Sequence, residues 1–247
     1  MKSKIPKIIH FCWFGNNEFS AKVSECIESW KVTLPEYQIM MWSEKNFDVN
    51  KIPFCKEAYE NKKYAFVSDY VRFYALYEYG GIYLDTDVEV LKSFDVFLDN
   101  DIFGFINKGN RSVVTWFIGM KKQHEFAKKM LEYYKNKHFI NDDGSLDMTP
   151  NICVGETFHR MYNFAYENRN QCLDNGCMLY SNNYVGAHNF TTGRVNICEN
   201  TYCIHWNEAS WWSEEDRVEY RKLQRLRRIF GEKTGDLLYW IKRRLLS

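Results

Sequence analysis

Two carboxylates, Asp85 and Asp87, stand two residues apart at the end of the apolar run Gly80-Gly81-Ile82-Tyr83-Leu84. In an extended chain, residues two apart point to the same side, so Tyr83, Asp85 and Asp87 are expected on one face. Carboxylates placed this way repel each other unless a cation lies between them. Mg²⁺ or Mn²⁺ takes carboxylate oxygens together with diphosphate oxygens and neutralises both partners. Asp-x-Asp alone is commonly a solvated turn. This pair directly follows an apolar strand, and open α/β sheets bind their ligands beyond the carboxyl ends of strands.

The stretch before it offers matching groups. Asp69 and Arg72 are three apart on a helical segment and so are neighbours on one face. On a surface such an ion pair contributes little. In a cleft, Asp69 would accept from sugar hydroxyls and Arg72 would donate to sugar or phosphate oxygens. Trp13 closes the first strand-like run at the same sheet edge, where it either packs in the core or stacks on a base. Near the other end, His205-Trp206-Asn207-Glu208-Ala209-Ser210-Trp211-Trp212 mixes ligand types with three tryptophans. The neutral imidazole of His205 is a candidate further metal ligand. The loop itself reads as a lid that would keep water from a diphosphate.

These side chains need a frame. Lys7–Phe14 reads as a buried first strand ended by Gly15-Asn16-Asn17. Ser20–Lys31 has helical spacing with Val23, Ile27 and Trp30 on one face, and Tyr37–Trp42 reads as a second strand. Phe54–Tyr79 is one long helix or two shorter ones, ended by Gly80-Gly81, and Ile82–Val90 is the next strand with its exit. The order β-α-β-α-β predicts an α/β domain with a largely parallel sheet. Beyond it, Ile102–Ile106 and Val113–Met120 are expected as strands and His124–Lys137 as an amphipathic helix. Asn141–Pro150 is expected as a loop, Gly155–Asn168 as a helix, and Cys177–Tyr184 and Thr201–Trp206 as short strands. Arg217–Leu246 is expected to be helical with a break near Gly231–Gly235.

A chain of 247 residues suits one full-sized domain, and 45% hydrophobic residues exclude a disordered chain. No apolar run reaches the length of a membrane span. Eight cysteines lack any C-x-x-C pair, and Met1–Lys7 carries no secretory core, so reduced thiols in a cytoplasmic protein are expected. Charge is uneven. Residues 217–247 hold ten Lys/Arg against three Asp/Glu, a net +7, so within a total of +1 residues 1–216 carry −6. The expected division is an α/β domain over 1–216 and a basic helical extension over 217–247.

The stretches Ile5–Gly15, Ala65–Arg72 and Gly80–Asp87, with His205 and Ser210-Trp211, together resemble glycosyltransferase family 32, the "DXD sugar-binding" glycosyltransferases. That family includes bacterial capsular-polysaccharide enzymes and yeast initiating mannosyltransferases, and it is related to the glucosylating domains of large clostridial toxins. The resemblance implies a GT-A fold, a nucleotide diphosphate sugar donor, Mn²⁺ (or Mg²⁺) as cofactor, and transfer of a hexose with retention of configuration. The expected donor is a UDP-sugar and the expected acceptor a saccharide or lipid-linked saccharide. By the same resemblance Trp13 stacks on the base, Asp69 and Arg72 grip the donor sugar, Asp85 contacts ribose and metal, and Asp87 binds the metal. Tyr83 is placed with the donor-binding set. The toxin relatives' closing loop has a metal ligand, a serine and a tryptophan, in a spacing that Asn207, Ser210 and Trp212 reproduce. The family-32 pattern points instead to His205, so either His205 or Asn207 is the third ligand. Thr149-Pro150-Asn151 resembles a Gly-Pro segment near the acceptor site.

The basic tail admits two readings: a helix docked on the domain with a solvated cationic face, or peripheral attachment to an anionic membrane at its inner face. Two rival functions fit the sequence less well. A sugar nucleotidyltransferase would want a Gly-rich, Lys/Arg-bearing loop after the first strand, and Phe14-Gly15-Asn16-Asn17 has one glycine and no cation. A non-catalytic carbohydrate-binding protein would have no need of Asp69, Arg72, Asp85 and Asp87 together. Nucleic-acid binding would rest on the tail alone and is not expected.

Overall fold

The structure, a computed structural model, describes residues 3–108, 112–148, 152–208 and 212–246. Its first part alternates β1 (Ile8–Cys12), α1 (Ala21–Thr33), β2 (Gln38–Trp42), α2 (Pro53–Glu60), α3 (Tyr64–Tyr79), β3 (Gly81–Leu84) and β4 (Val88–Val90). There follow β5 (Ile102–Asn107), β6 (Ser112–Val113), β7 (Phe117–Met120), α4 (Glu125–Tyr134) and α5 (Ile152–Tyr162). The remainder comprises β8 (Gln171–Leu173), β9 (Cys177–Tyr180), β10 (His188–Asn189), β11 (Arg194–Val195), β12 (Cys203–His205), α6 (Glu214–Phe230) and α7 (Glu232–Leu246).

The main sheet has the order β2-β1-β3-β7-β5-β9-β8, with β6 on β5. Strands β2, β1, β3, β5 and β9 run one way, and β7, β8 and β6 run against them. The sheet is thus mostly one-directional, as expected, with the reversed β7 set into its middle.

Side chains alternate between two cores, one on each face of the sheet. On β5, Ile102 and Ile106 join the core under α2–α5, while Phe103 and Phe105 join the one under α1. On β3, Ile82 and Leu84 face α1 and Tyr83 faces α3. Both faces being covered explains why these strands read as continuous apolar runs rather than as alternating ones.

Helix α3 lies in the middle of its layer, and Phe66, Val67, Tyr70, Val71, Phe73, Ala75 and Leu76 are all buried. It stops at Gly80, whose φ is +66°, and Gly81 follows at +107°. A Cβ at Gly80 would lie 2.5 Å from the Lys122 nitrogen, and one at Gly81 would lie 2.6 Å from the Ile8 oxygen. Only glycine meets both demands, the left-handed backbone and the close approach. This pair turns the chain from α3 straight into β3. His10 fastens the junction. Its Nε2 is 2.8 Å from the Gly80 oxygen, and the Trp42 indole donates to its Nδ1 at 3.2 Å. An indole N–H can only donate and a carbonyl can only accept, so His10 is the neutral Nε2–H tautomer.

Three expectations are corrected. Ile82–Val90 is two strands in different sheets, because the chain turns at Asp85–Val88, where the Val88 N–H donates to the Asp85 oxygen at 3.3 Å. Val113–Met120 divides into β6 and β7, and the helix expected over Gly155–Asn168 is α5, Ile152–Tyr162. The tail is an α6–α7 hairpin broken at Gly231, φ +81°.

Candidate metal centre

The turn after β3 is held from both ends. The Asp85 N–H donates to the Trp116 oxygen at 3.0 Å, which continues the β3–β7 ladder by one step. Past the turn, β4 pairs antiparallel with β12, setting Val88 opposite His205. Among the described residues the other edge of β4 has no strand beside it, and helix α1 supplies the partners. Trp30 Nε1 donates to the Val88 oxygen at 2.6 Å, Ser29 Oγ accepts from the Val90 N–H at 2.9 Å, and Thr33 Oγ1 donates to the Val90 oxygen at 3.3 Å. Buried backbone groups need partners, and these side chains provide them. Asp85 therefore belongs to the main sheet and Asp87 to the two-stranded one.

This arrangement, rather than strand alternation, brings the candidates together. One donor atom each from Asp85, Asp87 and His205 lie within 4.8 Å of one another. His205 Nε2 is 3.0 Å from Asp87 Oδ1, and the Glu208 N–H donates to Asp87 Oδ2 at 2.8 Å. Burial pushes the Asp87 carboxyl up, but the neighbouring His205 charge and the hydrogen bonds from His205 and Glu208 outweigh it and hold it below its usual range. Burial lowers His205, and the Asp87 carboxylate more than compensates, so its pKa is raised. The lone pairs that share a proton in this pair are the ones a cation would take, and two carboxylates with an imidazole are an ordinary divalent-metal donor set. Access is from Asp85, whose side chain is 31% exposed against 13% for each of the other two.

Behind Asp85 lies a buried pair. Arg72 Nη2 donates to Asp69 Oδ1 at 2.7 Å and lies 3.8 Å from Asp85 Oδ1. Its Nη1 donates to the Thr115 oxygen at 3.0 Å and its Nε to the Ser68 oxygen at 3.3 Å. The guanidinium carbon sits 4.7 Å from the centre of the Tyr83 ring. Asp69 and Arg72 are 6% and 4% exposed, so this is no surface ion pair. Burial disfavours the Arg72 charge, but Tyr83, Asp69 and Asp85 around it raise its pKa and keep it ionised. Tyr83 is 2% exposed and turned towards α3, where it supports Arg72 from beneath.

The other candidates take separate places. Trp13 follows β1, next to β3 in the sheet, with its N–H bonded to the Trp42 oxygen, its indole donating to the Asn17 oxygen at 2.7 Å, and its ring edge-on to Phe19. Asn207, at φ +55°, turns its amide to the His205 oxygen at 2.9 Å and to His188 Nδ1 at 3.1 Å, bracing the ligand strand from behind. Trp212 packs on Phe190 and Tyr220 at the start of α6. Ser210 and Trp211, and Thr149-Pro150-Asn151, lie outside the described residues.

Sequence reasoning missed Trp116, whose ring centre is 4.4 Å from that of His205. It also missed Thr115, whose oxygen accepts from Arg72, and His188, whose Nδ1 lies 3.1 Å from both the His205 oxygen and the Asn207 amide nitrogen. No spacing flags these residues. Trp116 comes to the site only because β7 pairs with β3.

With this geometry in hand, comparison with known proteins is informative. Residues 20–103 match the family model described as a glycosyltransferase sugar-binding region containing a DXD motif, a span that includes Asp69, Arg72, Asp85 and Asp87. Inositol phosphoceramide mannosyltransferase 3 of Schizosaccharomyces pombe is 35% identical over 98 residues, covering 38% of this chain and 27% of that protein. Mannosyl phosphorylinositol ceramide synthase SUR1 of Saccharomyces cerevisiae is 28% identical over 151 residues, covering 55% of this chain and 37% of that protein. The chain thus spans between a quarter and two fifths of the length of these curated relatives. Among solved structures, the PaToxG glycosyltransferase aligns with a TM-score of 0.47 and 17% identity, over 64% of this chain and 69% of that one. Over residues 20–103, with the buried Asp69–Arg72 pair and the Asp85–Asp87 turn inside it, this chain is similar to a glycosyltransferase sugar-binding region containing a DXD motif.

Proposed function

We propose that the chain is a glycosyltransferase on a GT-A-type scaffold. It moves a hexose from a nucleotide diphosphate sugar, a UDP-sugar, to a saccharide or lipid-linked saccharide with retention of configuration. The observation that carries this reading is the convergence of Asp85, Asp87 and His205 within 4.8 Å, directly in front of the buried Asp69–Arg72 pair. Asp85, Asp87 and His205 would hold the cation, and the imidazole among the donors favours Mn²⁺ over Mg²⁺, which prefers oxygen alone. When bound, the cation neutralises charge that grows on the departing diphosphate.

The chain's own residues do the rest. Arg72, ionised and fixed by Ser68, Thr115 and Asp69, presents a preorganised positive charge beside Asp85, and such charge stabilises a developing anion without reorganising. Asp69 orients the sugar through its hydroxyls. Trp13, at the carboxyl end of β1, offers a ring to the base. The bond from the anomeric carbon to the diphosphate oxygen breaks as the bond to the acceptor oxygen forms on the same face, and the acceptor's proton passes to the departing phosphate. No side-chain nucleophile or base is required.

The test is a panel of nucleotide sugars incubated with the chain and Mn²⁺, without acceptor, read as release of the free sugar. One donor is expected to be hydrolysed, with activity abolished by chelation and restored by Mn²⁺. Absence of both hydrolysis and Mn²⁺-dependent binding across the panel would overturn the proposal.

A further inference from the structure

We propose that the outer face of α7 is a docking surface for an anionic lipid bilayer. The α6–α7 hairpin has a well-defined inner side. Gly235 is so close to α6 that a Cβ there would lie 2.6 Å from the Arg227 nitrogen, Arg227 Nε donates to Asp236 Oδ1 at 2.6 Å, and the Tyr239 hydroxyl donates to Glu219 Oε2 at 2.8 Å. Positions 235, 236 and 239 therefore face α6. At about 100° per residue, Leu237 and Ile241 fall on the opposite side, with Lys233 and Trp240 on its flank. Leu237, Trp240 and Ile241 are 55%, 52% and 39% exposed, and at the hairpin bend Ile229 and Phe230 are 69% and 51% exposed.

Charge decides what covers this face. From Glu214 onward the hairpin holds ten Lys/Arg against six Asp/Glu, a net +4, whereas residues 1–213 carry −3, so the partner is anionic. A second copy would bring two such segments together and is opposed by repulsion. A nucleic acid would meet the cations but leave Leu237, Ile241, Ile229 and Phe230 in water. An anionic bilayer satisfies both, taking apolar side chains below its headgroups and cations among them, with the tryptophan at the boundary. Among the described residues no helix is long and apolar enough to cross a membrane. The surface is therefore one that lies along the membrane.

The hairpin is not loosely hung. Tyr220 of α6 stacks on Phe190, between β10 and β11, with ring centres 4.8 Å apart, and Arg194 donates to the Arg228 oxygen at 2.6 Å. His188 of β10 lies 3.1 Å from the His205 oxygen. Docking α7 would thus set the orientation of the metal group over the lipid surface. This consequence, unlike the docking itself, rests on the sugar-transfer reading.

The experiment is flotation of the full chain with phosphatidylcholine vesicles, with and without phosphatidylglycerol, at low and high salt. The chain is expected to float only with the anionic vesicles, and less at high salt. Leu237→Glu/Trp240→Glu is expected to weaken binding at least about tenfold with donor hydrolysis unchanged. Should that variant fold poorly, quenching by brominated phosphatidylglycerol vesicles provides the second reading, expected for the wild type and reduced in Trp240→Phe. Equal flotation with both vesicle types, or undiminished binding by the double variant, would overturn the proposal. So would a wild-type dimer in lipid-free sedimentation that the double variant dissolves, since a second copy would then be the occupant. If vesicles bind but no nucleotide sugar is hydrolysed, the docking surface stands and the sugar-transfer reading falls.

Discussion

Asp85 and Asp87 are separated by one residue, yet different halves of the molecule hold them. Asp85 extends β3, takes its backbone partner from Trp116 of the main sheet, and faces Arg72 on the buried helix α3. Asp87 precedes β4, takes its backbone partner from Trp206, and is tied to His205 and the Glu208 N–H on the β12 side. One carboxylate is joined to the buried Asp69–Arg72 pair and the other to His205. Such a site is assembled where two sheets meet at one tight turn. Its two halves can therefore be perturbed separately.

The largest effect is expected for Asp87→Ala, which removes a metal donor and leaves His205 without its counter-charge. Donor hydrolysis at saturating Mn²⁺ should fall by about a thousandfold or more. The main sheet is untouched, so the thermal midpoint should stay close to that of the wild type. Near-normal turnover would break the assignment of Asp87 as a ligand.

A smaller and more discriminating contrast sets Arg72→Lys against His205→Ala. Lysine keeps the charge but cannot reach Ser68, Thr115 and Asp69 at once, as the guanidinium fork does. Arg72→Lys should lower kcat by about 10–100-fold with little change in the Mn²⁺ concentration needed. His205→Ala should show the opposite split, needing about 10–100-fold more Mn²⁺ while kcat at saturation is largely kept. If both variants moved the same parameter, the two halves would not be separable.

A further effect concerns stability and only the main-sheet half. Burial holds His10 down to about 4 from an ordinary value of 6.5, against the opposing bond to Gly80. Between those values the unfolded chain binds a proton that the folded one refuses. The stabilisation is thus complete above pH 6.5 and is lost as pH falls towards 4. For His10 alone it amounts to about 3 kcal/mol. His124, lowered to about 4 by burial and the Lys121 charge, acts in the same direction. Urea midpoints across this range should fall with acid and fall less steeply in His10→Gln. Equal slopes would show that His10 is not the group responsible.

Much of this was legible along the chain because it is local. The three-residue spacing of Asp69 and Arg72 is enough to pair them on one helix, and Gly80-Gly81 announces a turn that no other residue pair fits. The aspartates could be read as a pair, but not how they are held. Alternation put them on one strand face, whereas the chain turns between them and places β4 in another sheet. Asn207 illustrates the limit from the other side. Its spacing made it a candidate equal to His205, and in the structure its amide nitrogen lies by the His205 oxygen and His188 Nδ1.

The α/β order of elements, the helix that carries Asp69 and Arg72, and the two carboxylates at the end of a strand can all be read along the chain. All of these follow from periods and spacings of a few residues. The packing of the whole chain set β12 against β4, ran β7 in reverse beside β3, and buried Arg72 against Tyr83 while leaving Leu237 exposed. The physical reason is that a contact such as His205 with Asp87 depends on which strand edges satisfy their hydrogen bonds together, a condition set by the whole packed molecule and absent from any short stretch of chain.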